Sequence, residues 1–334
     1  MNAQPHTLAI IQARMGASRL PGKVLLDIAG EPMLVRVAER TRRAKTIHGV
    51  VIATTTDSSD DLLVALCAQR GYPCYRGSQH DVLDRYYQAA RAAGAGVIVR
   101  ITADCPLIDP SVIDETVNAF LGREGAGDQG PGINDRRTEA REQPLAINDL
   151  QPASFNLQRL TPFDFAANRL PPPWTRTYPI GLDVEVCSFY ALDRAWKEAD
   201  QQHQREHVMP YLYETVRAKH FNSLHEAHDS QEVHDSQEAH DSQEAQEVQQ
   251  AQDHPPPHFR VRVVNHDPDY GAFRWTVDTP EDLDLIRKIY AHFQGHDDFS
   301  WLDVLALFER EPDLARINAR VQHKNYREVD PRRS

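Results

Sequence analysis

Apolar segments typical of strands alternate with helical segments from residue 7 to residue 120. Predicted strands cover residues 7–13, 50–54, 73–76 and 97–102, and predicted helices cover residues 32–44, 59–70 and 81–93, with another after Pro110. Such strand–helix–strand units are typical of parallel strands, because the chain must cross back before each new strand begins. The sequence therefore predicts an α/β fold with a mostly parallel sheet and helices on both faces.

Shorter pieces of the same pattern follow later in the chain. Strands are predicted at 181–186 (GLDVEV) and 273–278 (FRWTVD), and helices near 189–199 and 300–309. Thr279 and Pro280 are typical of a helix start. We expect a single domain over residues 1–330, interrupted by a polar loop at 122–152 and an acidic insert at 224–257.

The acidic insert supplies most of the formal net charge of −12. Residues 226–253 contain nine Asp or Glu residues and no Lys or Arg, and HDSQE occurs three times there. With almost no aliphatic or aromatic residues, the segment cannot offset its ordering entropy by burial, and we predict disorder. The acidity of the chain disfavours sequence-independent nucleic-acid binding.

The four cysteines, Cys67, Cys74, Cys105 and Cys187, form no CxxC pair. Reduced thiols of a cytosolic protein are therefore favoured over a disulfide or zinc framework. The N-terminus has no signal-peptide pattern, and no apolar run is long enough to span a bilayer. We expect a cytoplasmic protein without a membrane partner.

A cation-rich turn, RMGASRLPGK, follows the first predicted strand. It is not a Walker A loop, which has four residues between its two glycines and a Ser or Thr after its lysine. Here five residues lie between Gly16 and Gly22, and Val24 follows Lys23. It still has the parts of an anion cradle, since backbone N–H groups can converge on a phosphate in such a turn. Its cations and hydroxyl are Arg14, Arg19, Lys23 and Ser18. The alternative is a surface turn with exposed cations.

Two aspartates follow apolar segments that are predicted to be strands. Asp104 comes just after residues 97–102, and Asp278 ends FRWTVD. Ligands of open α/β sheets bind at the carboxyl ends of strands, and carboxylates there suit Mg²⁺. A turn or capping role is the alternative for each. Together with the cationic turn, the pair predicts a site for a nucleoside triphosphate–magnesium complex with attack at the α-phosphorus.

Seven segments, in order, resemble the cytidylyltransferase family of spore-coat polysaccharide protein F, which is related to the CMP-sialic-acid and CMP-KDO synthetases. They are QARMGASRLPGK, VIATTTDSSDD, YRGSQHDVLDRYYQAA, VIVRITADCPLIDP, RTYPIGLDVEV, QREHVMPY and FRWTVDTPEDL. The resemblance implies the Rossmann-like nucleotide-diphospho-sugar transferase fold. It also implies CMP transfer from CTP to a small anionic sugar or sugar-acid acceptor, with release of pyrophosphate, for surface polysaccharide synthesis.

The resemblance also implies residue roles. Arg14, Arg19 and Lys23 would be catalytic and, with Ser18, would bind the triphosphate. Thr54, Ser78 and Asp81 would lie near the base. Asp104 and Asp278 would hold Mg²⁺. The acceptor site would consist of Arg176, Tyr178, Asp183, Glu185, Arg205, Glu206, His207 and Arg274. A general base for a hydroxyl acceptor would be Asp183, Glu185 or His207.

The chain departs from the family pattern at Ala17, Ala103 and Ile180. None of these three departures replaces a predicted phosphate-binding cation or a predicted metal-binding carboxylate. Ile180 does replace a polar residue in the predicted acceptor pocket. Two other functions remain open at this stage: a glycosyltransferase that uses a nucleotide-sugar donor, and a non-catalytic nucleotide-binding partner. Similar enzymes commonly dimerise, which leaves a homodimer open.

Overall fold

The computed structural model describes residues 5–123, 161–171, 174, 176–214 and 259–322. The strands are β1 (Thr7–Gln12), β2 (Asp27–Ile28), β3 (Glu31–Pro32), β4 (Gly49–Thr55), β5 (Cys74–Gly77), β6 (Val97–Thr102), β7 (Phe165–Ala167), β8 (Glu185–Ser188) and β9 (Val261–Val263). The α-helices are α1 (Met33–Arg42), α2 (Asp61–Arg70), α3 (Val82–Ala92), α4 (Pro110–Phe120), α5 (Phe189–Glu198), α6 (Gln202–His207), α7 (Pro210–Glu214), α8 (Pro280–His292) and α9 (Trp301–Arg310). None of the described helices is both long enough and apolar enough to cross a membrane.

Seven strands form one sheet in the order β5-β4-β1-β6-β8-β7-β9. Strands β5, β4, β1 and β6 run parallel to one another, and β7 is parallel to β9. Strand β8 runs antiparallel to both β6 and β7. The predicted mostly parallel α/β sheet is therefore confirmed. The acidic insert at 224–257 lies outside the described residues, as does nearly all of the predicted loop at 122–152.

Helices cover both faces of the sheet, as predicted. Along β1, Ala9 and Ile11 belong to one buried cluster, with residues of α1, α4, α8 and α9. Leu8 and Ile10 belong to a second buried cluster, with residues of α3 and α5. Successive side chains of a strand point to opposite faces, so a continuous apolar strand such as β1 supplies both cores.

Two predicted strands differ from the structure. Residues 273–278 form only an isolated bridge, between Arg274 and Ile180. Their N–H groups donate to carbonyls of neighbouring loops: Trp275 bonds Ile180 at 2.6 Å, and Val277 bonds Asp104 at 2.8 Å. An apolar segment buried against loops has the same composition as a strand, which explains the wrong prediction. The strand predicted at 181–186 begins only at Glu185, where β8 starts.

The parallel strands bring two loops together at one edge of the sheet. Gln12, the last residue of β1, lies in register with Thr102, the last residue of β6. The loops that follow these strands therefore begin side by side, at the carboxyl ends where open α/β sheets bind ligands. The segment before α8 joins them there through the hydrogen bond between Val277 and Asp104.

Asn168 connects β7 to the segment before β8. Its buried side chain donates to the Leu182 carbonyl at 2.7 Å and accepts from the Val184 N–H at 2.9 Å. Asn168→Ala leaves both backbone groups buried without these partners, and such unsatisfied groups cost about 1–3 kcal/mol each. We expect the free energy of unfolding to fall by about 2–4 kcal/mol in urea titrations. The exposed Leu302→Ala variant is the control, and a loss for Asn168→Ala no larger than that of this control would contradict the assignment.

Candidate active site

A buried carboxylate fixes the loop that follows β1. Asp60 accepts the Met15 N–H at 2.7 Å, the Thr54 hydroxyl at 3.0 Å and the Thr55 N–H at 3.1 Å. The loop then turns at Gly22, whose φ of 72° lies in the left-handed region that favours glycine, and enters the short 3₁₀ helix Lys23–Leu25. The turn that leads to Lys23 is therefore held at its start by the bond from Met15 to Asp60 and at its end by the conformation of Gly22.

The ammonium group of Lys23 joins the two aspartates that the sequence singles out. Its Nζ donates to Asp104 Oδ2 at 2.8 Å, to Asp278 Oδ1 at 2.9 Å and to the Val277 carbonyl at 2.7 Å. Lys23 itself is buried. The cationic turn, the loop after β6 and the segment before α8 thus converge on one point, although 255 residues separate Lys23 from Asp278.

Two arginines also pair with Asp278. Arg19 lies 2.7 Å from Asp278 Oδ2, and Arg274 lies 2.8 Å from the same oxygen. Arg274 also binds the fully buried Asp282 at 2.9 Å. Asp282 belongs to the capping box of α8, with Thr279 as the N-cap, so the predicted helix start also orients Asp278.

These ion pairs set the charge states of the site. Burial alone would raise the pKa of Asp278, but the cations of Lys23, Arg19 and Arg274 outweigh it and hold that pKa well below its usual range. Burial likewise opposes the charge of Lys23, but Asp104 and Asp278 raise its pKa above the ordinary lysine value. The Asp278 carboxylate and the Lys23 ammonium are therefore both charged near neutral pH.

A cavity of about 340 Å³ opens beside this cluster. Ten of the predicted site residues line it: Arg14, Ser18, Arg19, Lys23, Asp104, Asp183, Glu185, Glu206, His207 and Asp278. The three departures from the family pattern, Ala17, Ala103 and Ile180, line it as well. The predicted triphosphate and metal residues therefore share one cavity with four of the eight predicted acceptor residues.

The residues predicted to lie near the base do not line this cavity. Thr54 is fully buried, with its hydroxyl on Asp60. Asp81 is the N-cap of α3, and its own N–H donates to Ser78 Oγ at 2.9 Å. Asp81 also pairs with Arg205, which was predicted as an acceptor residue. Arg205 donates in addition to the Trp196 carbonyl at 2.7 Å, so this pair ties α3 to α5 and α6.

Three further acceptor predictions also lie outside the cavity lining. Tyr178 is fully buried, and its hydroxyl donates to Glu115 at 2.8 Å, so we no longer assign it to the acceptor. Arg274 forms ion pairs with Asp278 and Asp282 instead. Arg176 pairs with Asp183 and so acts on a residue that does line the cavity.

Sequence reasoning missed several polar residues of the cavity: Gln12, Arg85, Arg100 and Arg169. Arg100 interrupts the apolar strand β6, and this interruption was the available signal. It pairs with Glu185, its register partner on β8. Arg169 follows β7 and gave no sequence signal, because residues 168–170 match no motif.

Some polar atoms of the cavity lining are buried without a partner. Among the described residues, His207 Nε2, Arg100 Nε and Arg85 Nε are buried without a hydrogen-bond partner. Burial, together with the nearby cations of Arg100 and Arg169, lowers the pKa of His207 to about 4. His207 is therefore neutral near pH 7. Unpaired polar groups of this kind are costly unless a ligand or water satisfies them.

The donor set fits magnesium. Mg²⁺ is usually bound through one or two carboxylates plus substrate phosphates rather than by an all-protein cage. Asp104 and Asp278 supply two carboxylates in contact with the same Nζ. No cluster of three or more His, Cys, Asp or Glu side chains suited to a metal ion occurs in the part of the chain that the structure describes.

Comparisons with known proteins agree with the fold and identify the family. A sequence model of the family described as cytidylyltransferase matches residues 8–291. The spore coat polysaccharide biosynthesis protein SpsF of Bacillus subtilis is 40% identical over 312 residues, which are 92% of this chain and 96% of that protein. A 3-deoxy-manno-octulosonate cytidylyltransferase of Trichlorobacter lovleyi is 37% identical over 119 residues, which cover 35% of this chain and 46% of that protein.

Among solved structures, a cytidylyltransferase from Leptospira borgpetersenii aligns with a TM-score of 0.65 and 23% identity, over 96% of this chain and 100% of that one. This likeness supports the fold. The family match spans most of the chain and includes the cationic turn and both aspartates. The chain belongs to the cytidylyltransferase family of CTP-dependent nucleotidyltransferases.

Proposed function

We propose that this chain transfers CMP from CTP to an anionic sugar or sugar-acid acceptor and releases pyrophosphate, in the synthesis of surface polysaccharide. The observation that carries the proposal is the convergence of Lys23 with Asp104 and Asp278 beside Arg14, Ser18 and Arg19. Family membership favours this reaction over the glycosyltransferase and non-catalytic alternatives. A homodimer and a cytoplasmic location stay predictions from the sequence.

Each residue of the nucleotide end has a distinct task in this proposal. Arg14 and Arg19 bind phosphate oxygens, and Ser18 donates a hydrogen bond to them. Lys23 stabilises the charge that develops on the phosphates during transfer. Asp104 and Asp278 hold Mg²⁺, which when bound neutralises the triphosphate and polarises its α-phosphate.

The acceptor occupies the other part of the cavity. Arg169 and Arg100 provide positive charge there for a carboxylate or phosphate of the acceptor. Glu185, Glu206 and Asp183 can accept hydrogen bonds from its hydroxyl groups. His207 is neutral, so its free Nε2 serves as a hydrogen-bond partner of the acceptor without adding charge. The relatives that synthesise a CMP-sugar acid support this class of acceptor by analogy.

The reaction can be tested directly with the full chain, CTP, Mg²⁺ and a panel of 2-keto-3-deoxy sugar acids, sugar phosphates and phosphonates. We expect pyrophosphate release with at least one acceptor and a CMP-conjugate identified by mass spectrometry. Asp104→Asn and Asp278→Asn should each lower kcat by at least about 10²-fold, because the metal carboxylates act on the charge of the transition state.

Asp313→Asn is the matched control, since Asp313 pairs only with the exposed Arg316 in the described contacts and is itself 84% exposed. It should retain wild-type turnover. Turnover of nucleotide-sugar donors without any pyrophosphate from CTP would contradict the proposal.

The buried neutral state of His207 predicts a pH dependence of stability. Its pKa falls from 6.5 to about 4 on folding, so the unfolded chain binds more protons between these values. The contribution of neutral His207 to the free energy of unfolding is fully present above pH 6.5 and is lost as the pH falls toward 4. Relative to His207→Gln, wild-type protein should lose up to about 3 kcal/mol of unfolding free energy over this range. Urea titrations at pH 7, 6, 5 and 4.5 measure the difference.

His80→Gln is the control for this experiment, because the side chain of His80 is exposed to solvent. An unfolding free energy of His207→Gln that runs parallel to the wild type at every pH would show that His207 is not buried in its neutral form.

A further inference from the structure

The three hydrogen-bond donors of the Lys23 ammonium are all in use. A lysine ammonium has three N–H groups, and Lys23 directs them to Asp104, Asp278 and the Val277 carbonyl at 2.7–2.9 Å. The side chain of Lys23 is only 9% exposed, so water does not replace these partners. Lys23 can therefore reach a phosphate only by giving up part of this arrangement.

The surrounding charges are balanced. Asp104, Asp278 and Asp282 face the cations of Lys23, Arg19 and Arg274 in one connected set of ion pairs. A divalent cation added to this balanced set would meet the buried ammonium at the very carboxylates that would bind it. Like charges at such short distances repel strongly in a partly desolvated site.

The balance of charge at the site changes when the metal binds together with a triphosphate. The phosphate oxygens bring negative charge, and they are strong acceptors for an ammonium group. Lys23 can then exchange its carboxylate partners for phosphate oxygens, which frees oxygens of Asp104 and Asp278. The exchange conserves the number of charged contacts that Lys23 makes.

We propose that Lys23 is the internal counterion of Asp104 and Asp278, and that it makes metal binding at these carboxylates depend on the nucleotide. Divalent metal alone binds weakly, and metal and CTP bind together. The inference rests on the proposed roles of the two aspartates and adds an order of assembly to them. Lys23 thereby has a task before the chemical step as well as during it.

The test uses Mn²⁺ as the probe metal and the full-length protein. The electron paramagnetic resonance signal of free Mn²⁺ gives its binding to wild type and to Lys23→Met without nucleotide. We expect Lys23→Met to bind Mn²⁺ at least about tenfold more tightly, because the buried positive charge is gone while both carboxylates remain. Lys288→Met, which removes an exposed lysine on α8, should bind Mn²⁺ as the wild type does.

A second measurement uses wild type alone and needs no variant to fold. Equilibrium dialysis with CTP and Mn²⁺ together should retain both in the protein compartment at concentrations where Mn²⁺ alone is not retained. Equal Mn²⁺ affinity of wild type and a folded Lys23→Met would overturn the inference, as would wild-type affinity for Mn²⁺ that CTP leaves unchanged. Failure of wild type to retain CTP in the presence of Mn²⁺ would instead contradict the proposed function, and the inference with it.

Discussion

The contact of one buried ammonium with two carboxylates organises the candidate active site of this protein. Lys23 lies in the loop after β1, Asp104 follows β6, and Asp278 precedes α8. No two of these segments are neighbours in sequence, and the parallel sheet brings the first two to the same edge. The capping box of α8 and the side chain of Arg274 then hold Asp278 in place. A loss of register between β1 and β6 would separate Lys23 from Asp104.

The two ends of the cavity are built by different parts of the fold. The end proposed for the nucleotide is formed by loops at the carboxyl ends of β1 and β6. The end proposed for the acceptor is formed where β8 enters the sheet antiparallel, so that Glu185 lies opposite Arg100 on one side and Ala167 on the other. In the proposed arrangement, relatives can therefore differ at the acceptor end without a change at the nucleotide end. The position of Ile180 in the cavity lining, where the family pattern has a polar residue, is consistent with such a difference.

Local sequence patterns predicted the parallel half of the sheet, the helix starts and the meeting of Lys23 with Asp104. Asp278 meets them as predicted, although the segment that it ends is not the strand that was expected there. These predictions rest on short-range rules: apolar strands, helix caps, and the common edge of parallel strands. Asp81 and Arg205, predicted for the base and the acceptor, do not line the cavity. Local patterns could not predict this, because the two side chains pair with each other across 124 residues. Arg169 was missed for a similar reason, since only the folded sheet brings it to the cavity. Tyr178 was misplaced because Ile180, two residues later, lines the cavity while the side chain of Tyr178 is buried in the core.

A crystal structure of the full chain with CTP and Mg²⁺ tests the central claim most directly. The account predicts the triphosphate in contact with Arg19 and Lys23, the metal on Asp104 and Asp278, and the Lys23 ammonium no longer bound to both carboxylates. A triphosphate bound at another edge of the sheet, with Lys23 still bridging the two aspartates, would contradict it.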